Sequence, residues 1–135
     1  MARGAVYYHS QFKFHDGQIG QKILVVLNEP INDEPILIVK TTSNLRGNKY
    51  IIGCNPNKGV FFLPAHQVSF FELDTVIQLL DIYEATPQEF LQAHLQEKTL
   101  TQLGQLSTLC LSQIMNCIKK LKEDIRQDDF VLITR

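Results

Sequence analysis

The chain has 135 residues, 44% of them apolar and 20% charged, with a formal net charge of -1. That length buries one real core without metals or cross-links, and the near-neutral balance excludes the broad basic field that grips a duplex, so double-stranded DNA is not an expected partner. No charged leader precedes an apolar run and no apolar stretch nears eighteen residues, so no membrane partner is expected and the expected location is cytoplasmic. The charges are uneven: residues 1–60 carry seven Lys/Arg (Arg3, Lys13, Lys22, Lys40, Arg46, Lys49, Lys58) against four acids, and the remainder carries six against ten.

Short strand-like runs separated by turns fill residues 1–85. "GAVYYH" (4–9) is the first strand, and "FKFHDGQIGQ" (12–21) holds an Asp-Gly pair that reads as a turn or loop. "KILVVLN" (22–28) and "PILIVKTT" (35–42) are β-branched and too continuous for a half-exposed hairpin. They read as central strands, covered on one face by core and on the other by a helix or partner. "NEPINDEP" between them, with two prolines and three acids, is loop. "KYIIGC" (49–54), "VFFLP" after the tight "NPNKG" (55–59), "HQVSFFELD" and "TVIQLLDIY" complete the series. Within 68–74, strand periodicity puts Val68, Phe70, Glu72 and Asp74 on one face. Six or seven short strands of this kind point to a small barrel rather than an open α/β sheet.

Past residue 85 the period changes. Thr86, Pro87 and Glu89 occupy N-cap, N1 and N3 of a short helix lined by Phe90, Leu91, His94 and Leu95. Leu103, Leu106, Cys110, Ile114, Cys117, Ile118, Leu121 and Ile125 then predict an amphipathic helix of roughly 20 residues. Its "KKLKED" end reads as a solvated face, and the tail "DDFVLITR" as a short added strand or an unattached end. The chain is thus one domain, 1–135, with barrel strands over 1–85 and a helical part over 86–126 packed on them.

Chemical motifs are sparse. Three cysteines (Cys54, Cys110, Cys117) make no CxxC pair, and an odd count argues against a fully stapled secreted protein, which leaves buried thiols as the reading. His9, His15, His66 and His94 form no HxxxH pair, Cys54 has no His beside it, and "GQIGQK" lacks phosphate-loop spacing. No metal and no cofactor is expected. What remains is a polar set at strand ends: Lys22, then Thr41, Thr42, Ser43 and Asn44, then Glu72 and Asp74. A cation and hydroxyls orient and neutralise a phosphodiester, and a carboxylate takes a proton. The plainer reading is that "TTSN" is ordinary turn composition and that Asp74-Thr75 caps a local turn.

Several segments together resemble the MazF/PemK plasmid-maintenance and growth-inhibition toxins. "GAVYYHSQFKFHDGQIGQKILVVLN" looks like their Gly-led first strand, loop, and basic-Pro entry into an aliphatic strand. "ILIVKTTSN" looks like the strand ending in Thr-Ser, "QVSFFELD" like the strand carrying an aspartate, and "LGQLSTLCLSQIMNCI" like the G-x-L-S start of the closing helix. The resemblance implies a small SH3-like barrel with a C-terminal helix, a homodimer, cleavage of single-stranded RNA without metal, and an antitoxin protein that blocks the site. It implies catalytic roles for Lys22, Thr42 and Asp74, with Ser43, Glu72 and Thr41 around the substrate. Lys22 stands where the family usually has arginine, Ile23 where it has proline, and Glu72 where some members carry arginine. Lysine keeps the charge but loses the bidentate fork, and Glu72 beside Asp74 repels a phosphate. Three readings are therefore open: a toxin-like endoribonuclease; a non-catalytic binding module engaging a protein or peptide, with the acidic pair favouring a basic partner; or a structural dimer with no small-molecule chemistry.

Overall fold

The computed structural model describes residues 2–135. Its elements in chain order are β1 (Ala5–Lys13), β2 (Ile19–Val26), β3 (Ile36–Thr42), β4 (Gly53–Asn55), β5 (Val60–Leu63), β6 (Thr75–Ala85), α1 (Pro87–Leu95), β7 (Leu100–Gln105), α2 (Thr108–Lys120) and α3 (Gln127–Thr134). The strands form a single antiparallel sheet in the order β4-β5-β6-β3-β2-β1-β7.

The aliphatic runs at β2 and β3 take the central places their composition predicts. Strand periodicity sends Val25, Leu37 and Val39 to one face, where α2 and α3 cover them with Ile114, Ile118 and Ile133. The alternate residues Leu24, Val26, Ile36 and Ile38 meet Tyr7, Phe90 and Ala93 on the other face, under α1. Burial on both faces is why these strands read as continuous apolar runs. Each fully buried aliphatic side chain contributes about 1.5–3 kcal/mol. Helix α1 begins as its sequence predicts: the Thr86 hydroxyl accepts from the Glu89 amide at 3.0 Å and Pro87 takes the first turn.

The expected barrel, SH3-like or otherwise, is overturned. Strands β4 and β7 stand at opposite edges of the sheet, and no pairing among the described residues joins them, so the fold is a mixed α/β one built on an open seven-stranded sheet. Closure fails for two visible reasons. β4 is only three residues long, and the Asn55 side chain ties back to the carbonyls of Ile51 and Gly53, turning the chain locally instead of extending it. The segment 68–74, expected as a strand, is a turn: the Phe71 amide donates to the Val68 carbonyl at 2.9 Å, and the His66 amide to the Phe71 carbonyl at 3.0 Å. Phe71 is buried and anchors this loop in the core.

The C-terminal part also differs. Leu103 belongs to β7, which pairs with β1, and α2 starts only after Ser107, whose hydroxyl accepts from the Cys110 amide at 3.1 Å. The tail is neither strand nor unattached; it forms α3, with Ile133 fully buried. Cys54 and Cys117 are not separate thiols: their sulfurs are bonded at 2.08 Å, joining β4 to α2 across 63 residues of sequence. Cys110 is the free buried thiol, and burial pushes its pKa up. No helix among the described residues is long and apolar enough to cross a membrane.

Candidate functional site

Helix α1 packs on the part of its sheet face formed by Leu24, Val26, Ile36 and Ile38. Along the same period, Lys22 follows from Leu24 on β2, and Lys40 and Thr42 follow from Ile38 on β3, so these polar ends lie beyond the helix and line an open concavity. Two adjoining cavities share Lys22, Thr42 and Asn44. One, of about 390 Å3, adds Tyr8, Thr41, Ser43 and Thr75; the other, of about 530 Å3, adds Lys40, Arg46, Tyr50 and Gln78. No carboxylate among the described residues lines either cavity. The basic excess of the first 60 residues is therefore partly gathered on one surface.

Lys22 is half-buried, and its ammonium donates to the Thr41 carbonyl at 3.3 Å. Burial and the neighbouring Lys40 ammonium hold its pKa below the ordinary lysine range. The Lys40 side chain is 13% exposed, and it ion-pairs with Asp81. Asp81 also accepts from His15 Nε2 at 2.9 Å, and the His15 ring stacks on Tyr83 with centroids 3.7 Å apart. In the neutral ring this carboxylate favours the proton on Nε2, with Nδ1 as the acceptor. His15 sits in the turn after β1, set by Asp16-Gly17: Gly17 has φ +89° and the Asp16 carboxylate accepts from the Gln18 amide at 2.9 Å. On the opposite wall Tyr50 stacks against Phe62 at 5.8 Å, with Lys58 over its ring at 4.7 Å.

The residues singled out from the sequence divide into two groups. Lys22, Thr41, Thr42 and Ser43 come together around the smaller cavity. Within it, the Thr41 hydroxyl is committed to the Ile23 carbonyl at 3.0 Å, and the Thr42 hydroxyl accepts from the Asn44 amide at 3.1 Å while still facing the groove. Glu72 and Asp74 line neither cavity. Asp74 instead accepts from the Ala65 amide at 2.8 Å and closes the 64–74 loop, the local cap that its composition suggested. Because 68–74 is not a strand, the shared acidic face does not exist.

Sequence reasoning missed Lys40, Asp81, His15 and Arg46. Asp81 lies within an aliphatic run, and its partners lie 41 and 66 residues away, so no spacing joins them. The one signal available was the surplus of base over acid in the first 60 residues. Among the described residues no cluster of three or more His, Cys, Asp or Glu has metal-holding geometry. No family model matches the chain, and no curated protein is significantly similar to it, so the resemblance to the MazF/PemK toxins rests on the quoted residues alone.

Proposed function

We propose that the chain binds single-stranded RNA in the groove between α1 and the 43–50 loop and cleaves it there, as a toxin-like endoribonuclease. The observation that carries this reading is the groove's lining: Lys22, Lys40 and Arg46 with the Thr42 hydroxyl, the aromatic Tyr50, and no carboxylate. Closely spaced cations neutralise consecutive phosphates, and an aromatic wall suits unstacked bases, which a single strand offers and a duplex does not.

In the cleavage step the 2'-oxygen of one nucleotide attacks the adjacent phosphorus and the bond to the 5'-oxygen breaks, giving a 2',3'-cyclic phosphate and a 5'-hydroxyl. His15 lines a neighbouring cavity under α1 that adjoins the groove at Phe14, and its Nδ1 receives the 2'-hydroxyl proton, with Asp81 stabilising the imidazolium on the far side. Lys22 gives a proton to the departing 5'-oxygen, a role that its lowered pKa favours. Lys40 and Arg46 stabilise the charge on the phosphoryl oxygens, and Thr42 and Ser43 orient the strand. Asp74, tied into its loop, has no part in this step.

The test is cleavage of a mixed-sequence single-stranded RNA by wild type, Lys22→Ala, His15→Ala and Asp74→Ala. Cutting by wild type and Asp74→Ala, with loss in the other two, is the expected result; loss in Asp74→Ala alone overturns the assignment. The commitment of Asp74 and Thr41 to structural bonds favours a second reading, a binding module without catalysis. RNA retained by folded wild type without any cutting selects it.

A further inference from the structure

Beneath α1, on the sheet face that also carries the basic groove, lies a third cavity of about 480 Å3, within the range of small-molecule sites. Phe12, Phe14, Tyr83 and Phe90 form its walls. Phe12 meets Phe14 and Tyr83 edge-on at 5.4 and 4.8 Å, an arrangement that fixes the rings. The rim is polar. Glu84 is taken by Arg126 at 3.5 Å, but Glu89 and Glu97 are exposed and carry no ion pair among the described residues. Burial lowers the pKa of His9 against the opposing pull of Glu97, and its Nδ1 accepts from the Gln11 amide at 3.1 Å, which leaves the Nε2–H of the neutral ring to donate. Glu97 and His9 both line this cavity, so a carboxylate and a donor stand at its mouth.

We propose that this cavity is the subsite for a guanine base of the RNA strand: the aromatic walls hold the ring, Glu97 accepts from its N1–H and 2-amino group, and His9 donates to its O6. The inference rests on the RNA-binding function proposed above and names what that site selects. Guanine is the one common base whose pairing edge presents two adjacent donors followed by an acceptor, the complement of a carboxylate beside a neutral imidazole N–H. Continuity with the groove supports a nucleotide rather than an isolated ring. Phe14 lines both the aromatic cavity and the larger basic one, and the Lys40 ammonium lies 5.8 Å from the Tyr83 ring centroid. A base among the phenyl rings therefore has a phosphate-binding lysine at its edge.

Nucleosides carry no phosphate, so they probe the cavity without the groove. Guanosine, inosine and adenosine are titrated into 15N-labelled wild type and Glu97→Gln, with folding checked from the same spectra. Guanosine is expected to shift the amides of His9, Phe14 and Ala93, and to bind at least about tenfold more tightly than inosine, which lacks the 2-amino group. Glu97→Gln is expected to abolish that difference. Equal binding of guanosine and inosine, a preference that survives Glu97→Gln, or no shifts around the cavity at millimolar nucleoside overturns the proposal. RNA binding by wild type and by Lys22→Ala/Lys40→Ala is measured alongside. RNA binding lost in that variant, with no nucleoside response, removes the guanine subsite and leaves the groove. A guanosine response without RNA binding by wild type removes the groove reading and leaves the subsite.

Discussion

At Lys22 burial and the Lys40 ammonium act in the same direction, both favouring loss of the proton. A bound phosphate acts in the opposite direction, so binding takes up a proton wherever free Lys22 has begun to lose one. RNA affinity should therefore fall as pH rises through the lowered pKa of Lys22, below the range in which an ordinary lysine titrates. Fluorescence anisotropy at constant ionic strength reads this directly. Lys22→Arg should flatten the dependence because a guanidinium stays charged, and an unchanged slope in that variant removes Lys22 as the cause. Lys22→Ala should also reduce the salt dependence, lowering the slope of log affinity against log salt by about 0.7 for one single-strand phosphate contact. Asp74→Ala separates the two roles considered for that residue. Loss of its bond to the Ala65 amide should cost about 1 kcal/mol or less in urea unfolding, with RNA affinity unchanged.

Among the elements, the β4–β5 turn holds the wall of the groove opposite α1. Gly59 has φ +67° there, and an added Cβ would stand 2.8 Å from Leu80 Cγ. Gly59→Ala should cost about 1–2 kcal/mol from the left-handed backbone alone, and the crowding at Leu80 adds to it, as thermal unfolding would show. Thr86→Ala should remove about 1 kcal/mol by freeing the Glu89 amide. These local devices are the part of the fold most legible in the sequence. The Thr86-Pro87 start of α1 and the doubly buried runs of β2 and β3 depend on neighbours in the chain, and the chain displays them. The 64–74 loop misleads because Phe71, buried as a loop anchor, produces the same alternation as a strand residue. Leu103 misleads in the other direction: its spacing from Leu106 and Cys110 fits a helix, yet it lies within β7, at the irregularity in its pairing with β1. For the site, the Lys22 and Thr42 strand ends were visible, whereas the His15–Asp81–Lys40 set depends on a contact between the β1–β2 turn and β6 that no periodicity reports.

Over the whole molecule the Cys54–Cys117 bond is the longest covalent constraint. Closing a loop of 63 residues should stabilise the fold by about 4 kcal/mol through the unfolded chain. Dithiothreitol should lower the midpoint of wild-type unfolding and leave Cys54→Ser/Cys117→Ser unaffected, while thiol titration of the denatured, unreduced protein should find one thiol rather than three. Such bonds belong to oxidising surroundings, and the thiol count on protein taken directly from cells shows whether this one forms there.

The open sheet carries a consequence for how this molecule meets other chains. Its two margins are unequal. β4 offers three residues and is bound to α2 through Cys54, so it presents little backbone to add to. β7 offers six residues, "LTQLGQ", without a charge or a proline among them and with most of its side chains exposed. Free amides and carbonyls along such a margin are a template for another extended segment. Any growth of the sheet, whether by a second copy or by a foreign strand, would thus be directional, outward from β7, at the sheet edge opposite β4.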